Sequence, residues 1–372
     1  MLKIIEVNEV DQFFELEPIW NSLLSQSRDN NPFLTWEYLS TYWKHFSGNK
    51  KLKTLCVEDE NNDIIAIAPL RLSPYVLANT FTYNVIEPLA CRGADYTGLI
   101  ITKKEIECLK LILNYLAVKN EDWDFIYLYD IPETSSVPTY LAKMQKNSII
   151  PYTAHQGAIC PYLTIPKSIE NLNTLKGKFR KNLRRCMKKL ENDYKKVELT
   201  DYRSFNSIEN AMNAFFDLHQ QRWTLKNLPG VFNTEDTRHF FSDVAKRFAE
   251  KGWLALYFLM VNGNPVAAQL CYKYAQKMYY VLGGFNPEFS KYSVGNIITI
   301  KIIEECIKNH VKEYDFLKGG EPYKFEWTNN YRRNLGYRFV NNRKTISKTY
   351  NLAIKTLKKI KADKILGKML HF

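Results

Sequence analysis

The stretch from Trp253 to Leu317 constrains this chain more than any other. Two apolar runs, 253–261 and 265–275, meet at Asn262-Gly263-Asn264. An Asn-Gly step between apolar runs supplies the positive-φ residues of a two-residue turn, so the runs read as one hairpin. A third strand, 277–284, comes at once after them. The period then changes to helical over 295–309, behind Gly295, and a last short strand is predicted at 312–317. Strands, helix and strand in this order imply the α+β class, with mixed sheets covered by helices.

The remainder reads in the same terms. A strand at 2–7 leads to a helix over 11–24. Pro32 opens a second helix, with Trp36, Leu39, Tyr42, Trp43 and Phe46 along one stripe. Strands are predicted at 52–58 and 63–72 around a polar Asn/Asp turn, then helix 103–118, strand 124–130 and helix 137–146. Pro151, Gly157, Pro161 and Pro166 crowd 150–167, which reads as a boundary or crossover. Beyond it come helix 176–193, strand 196–200, helices 205–226 and 234–250, the 253–317 segment, strand 337–341 and a basic helix from about 345. Both halves run helix pair, antiparallel strands, helix, strand, without a visible sequence repeat. The expected domains are 1–160 and 161–345, with a terminal helix over 346–372.

A length of 372 residues fits two domains. The formal net charge of +13 points to an anionic partner: nucleic acid, a phosphate-bearing cosubstrate or an anionic membrane surface. Seven widely spaced cysteines without a CxxC suggest reduced, buried thiols, and neither a disulfide framework nor a zinc site. Met1–Val7 has no long apolar run and no stretch of about 18 apolar residues occurs, so a cytoplasmic location without a spanning helix is expected.

Two segments carry candidate chemistry. The first is the loop from strand 277–284 into the helix at Gly295, where exposed amides and the helix dipole suit a phosphate. Gly284, Ser293, Gly295 and Asn296 are the candidates there; a glycine in a plain strand-to-helix turn accounts for them equally well. The second is Asp315-Phe316-Leu317-Lys318-Gly319-Gly320-Glu321-Pro322-Tyr323-Lys324-Phe325-Glu326-Trp327. A Gly-Gly turn here precedes acid, base and cation within ten positions, although a solvated surface turn would have the same composition. On helix 176–193, Arg180 and Arg184 lie one turn apart and can address one anion. His219, Arg222 and Trp223 share helix 205–226, where a lone His is more often structural than catalytic.

The Asp315–Trp327 segment resembles the signature of the CelD/BcsL-like acetyltransferases of the GNAT superfamily. The Phe179–Arg185 helix, Leu218-His219-Gln220-Gln221-Arg222-Trp223, Pro32-Phe33 and Asp95-Tyr96 are similar to further positions of that family. The resemblance spans roughly residues 32–340 and implies two tandem GNAT-like domains, as in FemAB-type peptidyltransferases. Their sheets would be mixed, mostly antiparallel and flanked by helices. It implies transfer from acetyl-CoA or another acyl-CoA, without a metal, to an amine of an amino sugar, nucleotide sugar or cell-envelope precursor. Of the GNAT pyrophosphate fingerprint, Arg/Gln-x-x-Gly-x-Gly/Ala, only Gly295 matches; Ser290 and Ser293 occupy the other positions. Glu321 or Asp315 is then the expected base, Tyr323 the proton donor and Lys324 a charge stabiliser, with His219 a further catalytic candidate. Arg180, Arg184, Arg222, Trp223 and Trp327 are expected on the substrate. An aminoacyl-tRNA donor and a non-enzymatic nucleic-acid-binding protein are the alternatives, though no zinc-finger, RRM or helix-turn-helix pattern appears. The terminal basic helix can either pack on the body or lie on an anionic membrane.

Overall fold

A computed structural model of the chain describes residues 1–77, 81–91, 93–118, 122–144, 151–168, 176–225, 227–341 and 343–344. The expected terminal helix over 346–372 lies outside the described residues.

In chain order the elements are β1 (Lys3–Val7), α1 (Val10–Phe14), α2 (Glu17–Gln26), α3 (Trp36–Phe46), β2 (Lys51–Leu52), β3 (Thr54–Glu58) and β4 (Ile64–Ala68). Then come β5 (Leu70–Leu77), β6 (Phe81–Pro88), β7 (Ile100–Ile101), α4 (Glu105–Val118), β8 (Phe125–Pro132), α5 (Ser136–Met144), β9 (Tyr152–Thr164) and α6 (Gly177–Asp193). The last are β10 (Val197–Asp201), α7 (Ile208–Thr224), α8 (Glu235–Glu250), β11 (Leu254–Val261), β12 (Asn264–Tyr274), β13 (Lys277–Phe285), α9 (Val294–Lys308), β14 (Glu313–Asp315) and β15 (Tyr331–Val340).

They form two compact units. The first holds 1–30, 47–157 and the chain from 335; the second holds 31–46 and 158–334. A single cut near residue 160 therefore misses two exchanges. The 31–46 segment packs on α8 of the second unit, where Arg247 hydrogen-bonds Ser40 Oγ and Thr41 Oγ1 at 2.5 and 3.2 Å. Such long-range pairings leave no trace in local sequence.

Other boundaries also differ from those expected. Residues 11–24 form two helices, because Pro18 lacks the N–H to continue α1 and sits instead in the first turn of α2. The Pro- and Gly-rich 150–167 stretch is mostly strand β9, and β15 begins six residues earlier than expected.

In the first unit, β1-β3-β4-β7 form one sheet, and β5 and β8 flank β6 in another. β6 pairs antiparallel with β5 and, across α4, parallel with β8. Leu109, Ile112 and Leu116 of α4 share a core with Leu55, Ile86 and Ile126.

The second unit repeats this plan. Its sheet runs β10-β11-β12-β13-β14-β9, antiparallel except for β13 with β14, which are parallel across α9. The β11–β12 turn has Asn262 and Gly263 at φ 49° and 85°, as the Asn-Gly signal demands. β12 is buried on both faces, so it reads as continuous rather than alternating. Ala267 and Cys271 share a core with α6 and α9, while Tyr272 on the opposite face meets Phe248 of α8, ring centroids 4.6 Å apart.

Strand β13 is regular only over its first residues. At Leu270/Cys271 the register against β12 jumps from Leu282 to Tyr280, leaving Val281 as an extra, bulged residue. The parallel pairing with β14 covers only Lys277–Tyr279. From Tyr280 onward β13 keeps β12 on one edge, and among the described residues no strand on the other.

Helix α7 closes on this free end of β13. A Cβ at Gly284 would lie 2.3 Å from the His219 amide nitrogen and 2.5 Å from both His219 Cα and the Leu218 carbonyl carbon. These are backbone atoms and cannot swing aside. Gly284→Ala should therefore destabilise the protein by about 3 kcal/mol, the upper range for overpacking. A denaturant midpoint unchanged from wild type would show that α7 is not seated this closely.

Candidate active site

Where β13 and β14 part, a cavity of about 270 Å³ opens in the second unit. Gly283, Gly284 and Phe285 of β13 form one wall. Ser293 and the first turn of α9, Val294, Gly295 and Asn296, form another; Arg222, Gln269, Tyr280, Thr299 and Tyr323 are among the other residues that line it.

Ser293 caps α9 in the left-handed region, at φ 54°, and turns the chain so that the helix points its amino end at the cavity. The Asn296 and Ile297 amides bond back to the Ser293 carbonyl at 2.9 and 3.1 Å. Among the described residues, the Val294 and Gly295 amides donate to no protein group. A Cβ at Gly295 would meet nothing within 4 Å, so this position faces open space. Free amides at a helix start, aimed into a cavity, suit an anion.

A buried polar chain fixes this turn from behind. Tyr314 Oη donates to Gln269 Oε1 (2.9 Å), Gln269 Nε2 donates to Thr299 Oγ1 (2.6 Å), and Thr299 Oγ1 donates to the Gly295 carbonyl (2.9 Å). All three side chains are buried and each finds a partner, which removes the cost of placing them in the core.

Arg222 Nη1 donates to the Gly283 carbonyl at 3.1 Å, and its guanidinium lies 5.7 Å from the Phe285 ring centroid. Tyr323 is 36% exposed. Burial of its hydroxyl, and next Tyr280 and Glu321, raise its pKa well above the usual phenol range. Burial also raises Tyr280, with Arg222 opposing. Both phenols are therefore protonated donors at neutral pH.

Of the candidates read from sequence, Gly284, Ser293, Gly295, Asn296, Arg222 and Tyr323 converge on this cavity. Glu321 stands at its edge, close enough to act electrostatically on Tyr323, with its carboxylate half-exposed and paired to Lys324 Nζ at 3.0 Å.

The others are held elsewhere. Asp315 is fully buried; Oδ1 accepts from the Leu317 amide (2.8 Å) and Oδ2 from Arg332 Nη1 (2.9 Å), so neither oxygen is free to act as a base. Lys324 is buried, donates to the Leu317 and Lys318 carbonyls at 3.3 and 2.8 Å, and so braces the 317–324 loop instead of meeting a ligand. Trp327 is a core residue, packed edge-on to Phe179 at 5.1 Å.

His219 lies behind Gly284 among Phe215, Phe232 and Trp223, and is absent from the cavity lining. Its Nε2 accepts from Trp223 Nε1 at 2.8 Å, which makes Trp223 a packing and orienting residue. Arg180 and Arg184 lie on α6, outside the cavity lining, and their side chains have no protein partner among the described residues. Among those residues no cluster of His, Cys, Asp and Glu is placed to hold a metal, and no helix is long and apolar enough to cross a membrane.

Sequence reasoning missed Gln269, Tyr280 and Thr299. Gln269 and Thr299 each interrupt an apolar run, and a polar residue there must find a buried partner; that was the available signal.

Residues 177–325 match the profile of the acetyltransferase (GNAT) domain. This part of the chain is an acyltransferase domain of the GNAT type, and it contains the whole cavity lining. No curated protein matches the chain. Among solved structures, FemX is similar with a TM-score of 0.63 at 10% identity, covering 94% of this chain and 99% of its own. A conserved protein of unknown function from Bacteroides thetaiotaomicron VPI-5482 is similar with a TM-score of 0.55 at 12% identity, over 91% of this chain and 100% of its own. At these identities the likeness shows the fold alone.

Burial, and secondarily Arg222, lower the pKa of His219 from 6.5 to about 4. The folded state thus binds this proton less readily than the unfolded chain, and stability is lost as pH falls from about 6.5 toward 4. Buried Asp29, raised from 3.8 to about 7 mainly by burial, acts in the opposite sense over much of the same window. The comparison must therefore be with a His219→Gln variant. Between pH 7.5 and 4.5 the wild type should lose on the order of 2–3 kcal/mol of unfolding free energy more than that variant. Equal losses in urea titrations would mean that the imidazole is not held neutral.

Proposed function

We propose that the protein transfers an acyl group from acyl-CoA to an amine, with the reaction in the cavity between β13 and α9. The supporting observation is the parting of β13 and β14 over a cavity that is lined by unbonded amides and by the phenols of Tyr280 and Tyr323.

In this reading the Val294 and Gly295 amides take the donor's diphosphate, and the thioester lies along the free edge of β13. The deprotonated amine attacks the thioester carbonyl, a C–N bond forms, and the oxyanion collapses with cleavage of C–S. Tyr323 gives the departing sulfur its proton. Glu321, the carboxylate at the cavity edge, receives the proton that the amine releases, and solvent returns one to the phenol. No covalent enzyme intermediate is required, which agrees with a cavity lined by no Cys, His or carboxylate. Asp315 and Lys324 serve by holding the loop that carries Tyr323.

The CelD/BcsL-like signature supports an acceptor amine on a sugar or cell-envelope precursor. A second reading, an aminoacyl-tRNA donor, draws on the likeness to FemX over almost the whole chain and on the net charge of +13.

Acetyl-CoA, a longer acyl-CoA or free CoA at about 100 times its dissociation constant should stabilise the protein by roughly 2.7 kcal/mol, read as a saturable rise in melting temperature. A flat response to all three would favour the tRNA donor. With a responsive acceptor in hand, Tyr323→Phe should lower kcat by about 10²-fold and leave donor affinity in place. An unchanged kcat would remove Tyr323 from the reaction.

A further inference from the structure

Between Gly177 and Leu190, α6 carries seven cations and no acid. Lys181, Arg185 and Lys189 are stacked one turn apart, an arrangement that disfavours a helix through like-charge repulsion. The charges are not spread evenly in their surroundings, and the helix contacts show which edge faces what.

The buried stripe of α6 is Phe179, Leu183, Cys186 and Leu190. At 3.6 residues per turn, Lys178, Asn182, Arg185 and Lys189 lie along one edge of that stripe, and Lys176, Arg180 and Arg184 along the other. The first edge faces the start of α9. Cys186 Sγ lies 3.8 Å from Ser293 Oγ, the Lys189 ammonium lies 5.7 Å from the Tyr292 ring centroid, and Asp193 Oδ2 accepts from Tyr292 Oη at 2.6 Å. Lys291, from the loop itself, sits 5.0 Å from the same ring. The second edge faces the other way, where Lys176 meets Glu326 at 3.5 Å. Ser293 lines the cavity, so the first edge borders the unbonded amides of Val294 and Gly295.

One carboxylate, Asp193, lies on this edge one turn beyond Lys189 and accepts from Tyr292; against Arg185, Lys189 and Lys291 it leaves the edge net positive, and Glu288 lines a separate groove beside Asp217. Arg185 Nη2 reaches only the neutral Asn182 Oδ1, at 2.9 Å.

We infer that the Arg185–Lys189 part of this α6 edge is a diphosphate-binding edge, adding positive charge from a neighbouring helix to that of Lys291 in the loop before α9. Arg180 and Arg184, on the opposite edge, are not part of it. The assignment of this diphosphate to acyl-CoA rests on the function proposed above; the site itself does not.

The test uses the full chain with two double variants, Arg185→Gln/Lys189→Gln and Arg180→Gln/Arg184→Gln, all exposed or half-exposed positions that circular dichroism should show folded. Inorganic pyrophosphate and CoA are titrated separately by calorimetry at low ionic strength. Loss of two charge-assisted contacts should weaken both ligands about tenfold or more in the first variant. The second should change them less than twofold. Equal weakening by both variants would mean diffuse attraction and would overturn the inference, as would full affinity in the first. CoA binding that ignores both variants would keep the acyl-CoA reading and remove the edge. Pyrophosphate binding that depends on Arg185 and Lys189, without any CoA binding, would keep the edge and remove the acyl-CoA reading.

Discussion

The second unit depends on how closely α7 lies on β13. At Gly284 the two backbones approach until no room remains for a methyl group, so α7 holds the end of β13 from the face of the sheet while its edge beyond Tyr279 stays unpaired with β14. A bulge at Val281 comes just after the last residue paired with β14, and together these features bend β13 away from its parallel neighbour. The gap that results is not a packing fault. Its floor is the Tyr314–Gln269–Thr299 chain, every member of which is buried and satisfied. A fold that keeps such a chain around an opening is one in which the opening has a fixed shape.

At the matching place in the first unit stands a buried ion pair. There β6 and β8 pair in parallel at Val85 and Ile86, and Glu87 is the next residue, as Tyr280 comes after the last pair in β13. Glu87 is buried, ion-paired to Arg71 at 2.9 Å, and accepts from Ser73 and Tyr75. Breaking one partner of such a pair would leave a bare charge in the core, so the pair locks this unit into one arrangement. The matching place thus holds an ion pair in one unit and a cavity with donors around it in the other.

This contrast explains what the sequence could and could not convey. Local signals were legible: the Asn262-Gly263 turn, the helix of α6 and the polar turn before Tyr323; the break at Pro18 was there to be read and was passed over in a single helix. The glycines at 284 and 295 were legible as candidates, but for opposite reasons, since one is crowded by backbone and the other faces open space. Exchange of 31–46 and of the chain from 335 between units depends on contacts hundreds of residues apart, which no local pattern encodes. The Asp315–Trp327 segment brings one side chain, Tyr323, to the cavity, and most of its other chemistry-bearing side chains are spent inside the protein. Reactive residue types in a row do not reveal which of them face outward.

That internal use has a consequence for how the segment works. Lys324 holds the Leu317 and Lys318 carbonyls, while Asp315 holds the Leu317 amide and Arg332. Leu317 itself sits at φ 58°, a conformation costly for a branched apolar residue unless neighbours impose it. Trp327 then fastens the end of the segment to Phe179 of α6. The one member left pointing into the cavity is Tyr323, two residues beyond the carboxylate at the edge. The segment therefore acts as a clamp: its buried acid, its lysine and its tryptophan fix the turn, and the fixed turn presents a single phenol to the cavity. The same tryptophan packs on the helix whose charged edge borders the start of α9, so the turn that carries Tyr323 and that helix share one packed frame.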